Sequence, residues 1–249
     1  MTQQPPPGQH PPPHPESDPL PPPPSGSGPS RDGSAFERSG ALAPAIVTVA
    51  VAWTVIQWLW VLTAPSALRT YRDAFLSPTS SAEIFTTYDF LGTLHNLVSI
   101  AAFVLTGIWL ARARRNADRI APLQQRRSKI WVWLGWLVPV VSLWFPKQVI
   151  DDVWRSTVHD PGQPDTGWWW GGWIAVQLLN GLTAQAFSIT GAPREWILER
   201  LVFFEVLAAL AATIAVLGWI RVVRTVSQAQ DALADGAPPP QVEARWATS

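Results

Sequence analysis

The chain has 249 residues with 18 basic and 18 acidic side chains, and this zero net charge argues against nucleic acid as a main partner. It has no cysteine, which excludes disulfides, thiolate metal sites and cysteine nucleophiles, and it has 16 tryptophans. The average hydropathy resembles that of a soluble protein only because polar tails dilute very apolar blocks.

Residues 1–40 open with "QQPPPGQHPPPHPESDPLPPPPSGSGPS", which holds 13 prolines before Ser30. Proline fixes φ and removes a donor, so this stretch reads as a disordered, polyproline-type tail. It is a solvated linker by default and a partner-binding segment where an aromatic groove meets it. A membrane domain follows over 41–226. Its first segment, 41–63, is "ALAPAIVTVAVAWTVIQWLWVLT", uncharged over 23 residues. At about 1.5 Å per residue such a helix crosses a hydrocarbon core of about 30 Å. It is too long for a signal-peptide core and reads as an uncleaved first span. A polar loop with Arg69, Tyr71, Arg72, Asp73 and Glu83 leads to the second segment, 90–110. Then comes "ARARRNADRIAPLQQRRSK", with seven basic residues against one acid. The third segment, 130–150, contains "WVWLGWLVPVVSLWFPK", which is rich in tryptophan and broken by Pro139 and Pro146. The fourth and fifth segments are 168–187 and 201–220, and a disordered tail is expected over 227–249. The expected fold is therefore an all-α integral membrane bundle.

The run from Ile108 to Ser156 carries "RARRNA" after a span, then "W…GWLVPVVSLWFPKQVI", then "DVWRS". This pattern resembles the signature of an actinobacterial membrane family catalogued as domain of unknown function 4328. The resemblance implies a multi-span helical protein, often with a proline-rich tail. It implies no reaction and no site residues.

Whether 130–150 crosses the bilayer decides the topology. If it enters and returns, or lies in the interface, four spans remain, and only Arg69, Arg72, Arg194 and Arg200 among the 18 basic residues face outward. If it crosses, giving five spans, Arg155, Arg221, Arg224 and Arg245 move outward while Arg194 and Arg200 move inward. The excess of Lys and Arg in cytoplasmic loops favours four spans, with both termini cytoplasmic. Two prolines also make a straight helix unfavourable there, and Trp131, Trp133, Trp136 and Trp144 suit the headgroup region.

Four spans place His95 and Glu205 at nearly equal depth, as an intramembrane polar pair able to relay protons; five spans place them in opposite leaflets. The plainer reading is that Glu205, one turn from the interface, snorkels or caps while His95 hydrogen-bonds a neighbouring helix. Asn96, Gln177, Asn180 and Gln185 read as interhelical hydrogen-bond groups, and Ala208, Ala211, Ala212 and Ala215 as a close-packing face. Arg112, Arg114, Arg115, Arg119, Arg126, Arg127 and Lys129 form a basic loop that either contacts anionic lipid headgroups or serves only to orient the chain. Asp151 and Asp152 point about 100° apart on a helix and suit ion pairs with Lys147 and Arg155 better than a metal. No zinc-ligand spacing, nucleotide loop, serine elbow or cofactor motif appears. These features point to a non-enzymatic organiser or sensor in the cell membrane, with a cytoplasmic proline-rich tail for a protein partner. The alternative is a small-solute or proton transporter or channel subunit.

Overall fold

The computed structural model describes residues 36–76, 85–138, 140–158, 166–185, 196 and 199–238, and every regular element among them is helical. The proline-rich tail over 1–35, the terminal residues 239–249, and Glu83, Pro139 and Arg194 lie outside the described residues. The helices are α1 (Ala43–Leu76), α2 (Thr87–Ile120), α3 (Trp131–Leu137), α4 (Phe145–Thr157), α5 (Gly167–Ala184) and α6 (Leu201–Ala234).

Three of these, α1, α2 and α6, are long and apolar enough to cross a membrane. At 34 residues each they measure about 50 Å, well beyond a hydrocarbon core of about 30 Å. Their polar extensions correct the expected boundaries. The first helix runs on from Thr63 through Pro65 to Leu76, because Ala64 and Ala67 bury against Tyr88 and Leu201. The "RARRNADRI" stretch is the last part of α2 rather than a loop. At the other terminus the helix continues to Ala234, since Val222, Val223, Val226 and Leu233 recur at helical spacing and are buried, so residues 227–234 are helix rather than the expected tail. The start of α2 is fixed by a reciprocal capping box between Thr86 and Asp89, and the Tyr71 hydroxyl of α1 donates to Asp89 at 2.7 Å.

The surface inverts the usual soluble pattern. Val51, Val55 and Leu62 on α1, Leu97, Ile100 and Val104 on α2, and Leu207, Leu210 and Leu217 on α6 are exposed. Meanwhile Gln57, His95 and Glu205 are buried. Apolar side chains outside and polar ones inside suit a hydrocarbon surround.

Helix α1 packs between α2 and α6, and α5 lies along α6. Their contact is close because Gly172 faces the backbone of Ala211 and Ala215, while Gly218 faces the backbone of Trp169. Ala215 is buried in it, and Ala208 and Ala212 are buried on the same helix, as the alanine spacing predicts.

Between 130 and 150 the chain makes two short helices. The seven residues of α3 reach about 10 Å, far short of a crossing. The chain then turns through Val140, which has φ 66°, a left-handed value that a β-branched residue adopts only under strain. A 3-10 turn, Val141–Leu143, leads into α4. Pro146 sits in the first turn of α4, where a missing N–H costs nothing, so it starts a helix rather than breaking one. Entry and exit meet: Trp131 packs edge-on to Phe145 at 4.5 Å, and the Arg127 guanidinium lies 4.0 Å over the same ring. The segment is a hairpin. Trp133 and Trp136 are also packed into the bundle, against Phe103 and Trp173 respectively, while Trp144 stays exposed.

Candidate functional site

Two polar centres occupy opposite ends of the bundle. At one end Glu205 is 1% exposed. Its carboxyl accepts from the Tyr88 hydroxyl at 2.6 Å and from the Gln57 amide at 3.1 Å. The Gln57 carbonyl in turn accepts from Asn180 at 3.2 Å, so α1, α2, α5 and α6 share one network. His95 lies one layer away with its ring between Trp53 and Trp60, each centroid 4.9 Å distant. Its Nε2 is buried without a hydrogen-bond partner among the described residues, and no bond joins it to Glu205. The two expected residues thus sit in one neighbourhood, bridged by Trp60, which also packs on Tyr88. Asn180 acts between helices as expected; Asn96 and Gln177 are exposed. Gln57 and Tyr88 were missed. Gln57 is the lone amide within the apolar 41–63 segment, a signal strong enough to have found it.

At the other end the basic stretch meets acids of its own chain. Arg114, only 4% exposed, pairs with Asp118 at 3.0 Å and donates to the Arg127 carbonyl. Lys129 also reaches Asp118, at 3.2 Å. Arg126 pairs with Asp152 at 2.8 Å, and Arg127 donates to Gln148. Arg112 and Arg119 stand where their charge acts on Glu37. The expected pairs Lys147–Asp151 and Arg155–Asp152 form at 2.6 and 3.2 Å, and Asp151 also accepts from Thr166 at the head of α5. Among the described residues no three His, Cys, Asp or Glu side chains are grouped to hold a metal.

The same end binds the segment that precedes α1. The Glu37 backbone N–H donates to the Asn116 carbonyl at 3.0 Å, and the Asn116 amide donates back to the Glu37 carbonyl at 2.7 Å. Asn116 also donates to Gln230, which bonds the Ala113 carbonyl and Thr157. Asp231 accepts from the N–H groups of Ser39 and Gly40, both at 3.1 Å, and so caps the incoming helix from α6. Arg115 clasps both carboxyl oxygens of Glu37 at 2.7 and 2.6 Å. Arg38 meets Asp235 at 2.6 Å in an exposed pair that contributes little. Neither Glu37 nor Gln230 stands out in the sequence, because polar residues beside a span carry no periodic signal.

The Arg115 hydrogen bond holds the Glu37 carboxyl below the usual glutamate value, against partial desolvation. A lowered value means the stabilisation is present above the ordinary glutamate pKa and is lost as pH falls through the lowered one. A spin label at Phe36 is therefore expected to stay immobile from neutral pH down past the ordinary glutamate range. Glu37→Gln should mobilise it at neutral pH; equal mobility in both forms would count against this latch.

Among the described residues every regular element is helical, and three helices long and apolar enough to cross a membrane, with polar centres between them, suit a membrane-associated helical protein. Residues 72–228 match the model of the family described as Domain of unknown function (DUF4328), and the chain belongs to that family. Comparison with curated proteins and with solved structures gives no match.

Proposed function

We propose that this protein is a non-catalytic organiser or sensor of the cell membrane that presents its two tails together at the cytoplasmic face. The observation that carries this reading is the latch: residues 37–40 are bonded to α2 and to the end of α6, so both tails leave from one place. The basic residues Arg114, Arg115, Arg126, Lys147 and Arg155 collect at that same end, which by the positive-inside rule is cytoplasmic. With α5 as a fourth span of about 27 Å, the α3–α4 hairpin enters and returns on that side. The proline-rich tail is then the element that recruits a protein partner, and the hairpin with its basic stretch is the contact for anionic lipid headgroups.

The absence of native cysteine gives a direct test of topology. Single cysteines at Asp160 and Thr190 are expected to be shielded and labelled, respectively, by an impermeant thiol reagent on intact cells. The reverse pattern would make 130–150 a crossing segment. For function, deletion of residues 1–35 is expected to abolish partner capture while the bundle keeps its unfolding midpoint. Solute uptake by liposomes that is lost in Glu205→Gln would instead assign transport.

A further inference from the structure

Since α2 packs on α1 and α5 on α6, a gap is left between α2 and α5. The hairpin closes its lower part through Trp136, which meets Trp173 edge-on at 5.6 Å. Above it lies a cavity of about 240 Å³. Its walls include Trp53 of α1, Trp136 of α3, Trp169 and Trp173 of α5, and Trp219 of α6. Gln177, exposed, stands in the lining on the α5 side. Ala50 and Trp53 of α1 and Ser99, Phe103 and Thr106 of α2 fall well inside the apolar segments 41–63 and 90–110, so the gap on that side opens toward bilayer hydrocarbon rather than water.

The polar groups of this lining are poorly used. Ser99 takes the Trp53 N–H at 2.9 Å. The Thr106 hydroxyl, the Gln177 amide and the indole N–H groups of Trp136, Trp169, Trp173 and Trp219 have no hydrogen-bond partner among the described residues. Other indoles of the bundle do find one: Trp58 on Thr213, Trp60 on the Tyr88 carbonyl, Trp109 on Ser227 and Trp170 on the Leu143 carbonyl. Donors beside hydrocarbon need acceptors, and a saturated acyl chain has none. Flat aromatic walls favour a flat guest. The volume falls below the roughly 300–1,000 Å³ of sites for drug-sized ligands, which leaves room for one ring but not a fused system.

We propose that the tryptophan-lined cavity between α2 and α5 binds the carbonyl-bearing ring of a lipid-soluble quinone, entering sideways from the bilayer. The indole faces stack on the ring, Gln177 and Thr106 donate to its carbonyl oxygens, and the isoprenoid or alkyl tail stays in lipid.

The full chain in lipid nanodiscs tests this with two probes, a benzoquinone bearing a decyl chain and decylbenzene, which has the same tail without carbonyls. Uptake is measured as the excess over empty nanodiscs. The quinone is expected to saturate at one per chain, at about tenfold lower mole fraction than decylbenzene. The double variant Thr106→Val, Gln177→Leu should raise the quinone requirement about tenfold and leave decylbenzene unchanged. Equal uptake of the two probes by the native chain overturns the proposal, because the cavity then accepts alkyl chains by shape alone. Saturable excess of neither probe overturns it as well. Both outcomes are read on the native chain, so they stand even if the double variant fails to fold.

Discussion

Gly172→Leu is expected to separate α5 from α6 and to lower the unfolding midpoint more than any other single change proposed here. A Cβ on Gly172 would sit 2.8 Å from the Ala211 carbonyl oxygen and 2.8 Å from the Ala215 nitrogen. Both are backbone atoms of a packed helix and cannot turn aside as a side chain would. Overpacking of this kind costs about 1–3 kcal/mol, and a leucine against backbone lies at or beyond the upper end. For a bundle of this size, about 3 kcal/mol corresponds to a fall of roughly 6–12 °C. Gly171, one residue earlier, supplies the control. A Cβ there meets nothing within 4 Å, so Gly171→Ala should be neutral or stabilise by up to about 1 kcal/mol through helix propensity. Thermal unfolding in detergent reads both. If the two alanine variants, Gly171→Ala and Gly172→Ala, behave alike, the close α5–α6 approach described here is wrong.

Glu205→Leu is the second large effect. It takes the acceptor from both Tyr88 and Gln57 at a place sealed from water. Leaving a buried donor unsatisfied costs about 1–3 kcal/mol in soluble proteins, whereas interhelical hydrogen bonds in membranes contribute about 0.6 kcal/mol on average. The membrane figure is smaller because separated helices in lipid also find partners. With the Tyr88 and Gln57 donors stranded, and the Thr183 hydroxyl left with the Asn180 carbonyl alone, a loss of about 2 kcal/mol is expected. Glu205→Gln keeps an acceptor for the Tyr88 hydroxyl and should lose less than about 1 kcal/mol. Tyr88→Phe combined with Glu205→Leu then separates the pair from its surroundings. If the two losses simply add, the 2.6 Å bond has no energetic weight.

The main helices were legible because apolar length is a composition signal that survives without any knowledge of partners. The alanine face of α6 and the Lys147–Asp151 and Arg155–Asp152 pairs were legible for a related reason, since helical spacing alone brings them together. What could not be read depends on distant residues. Tyr88 and Gln57, which bond Glu205, lie 117 and 148 residues away in sequence, so the His95–Glu205 pairing was drawn from depth alone and missed them. The ion pairs that Arg115 and Arg126 make were not legible in the basic stretch, because the partners Glu37 and Asp152 sit in other segments. Helix ends also ran further than expected, as at Ala234, because apolar residues recurring every three or four positions weigh little in a hydropathy average.

The tryptophans held between α3, α5 and α6 give the protein an optical identity. Trp170 and Trp173 are stacked at 4.9 Å with 17° between their planes, and Trp169 lies 4.9 Å from Trp219. Indoles this close share their excited states, and the sign and strength of the resulting circular-dichroism couplet follow the angle between rings. Trp136 of the hairpin stands edge-on to three of these four indoles. A shift of the hairpin relative to α5 would therefore register in the ultraviolet spectrum of the unlabelled protein.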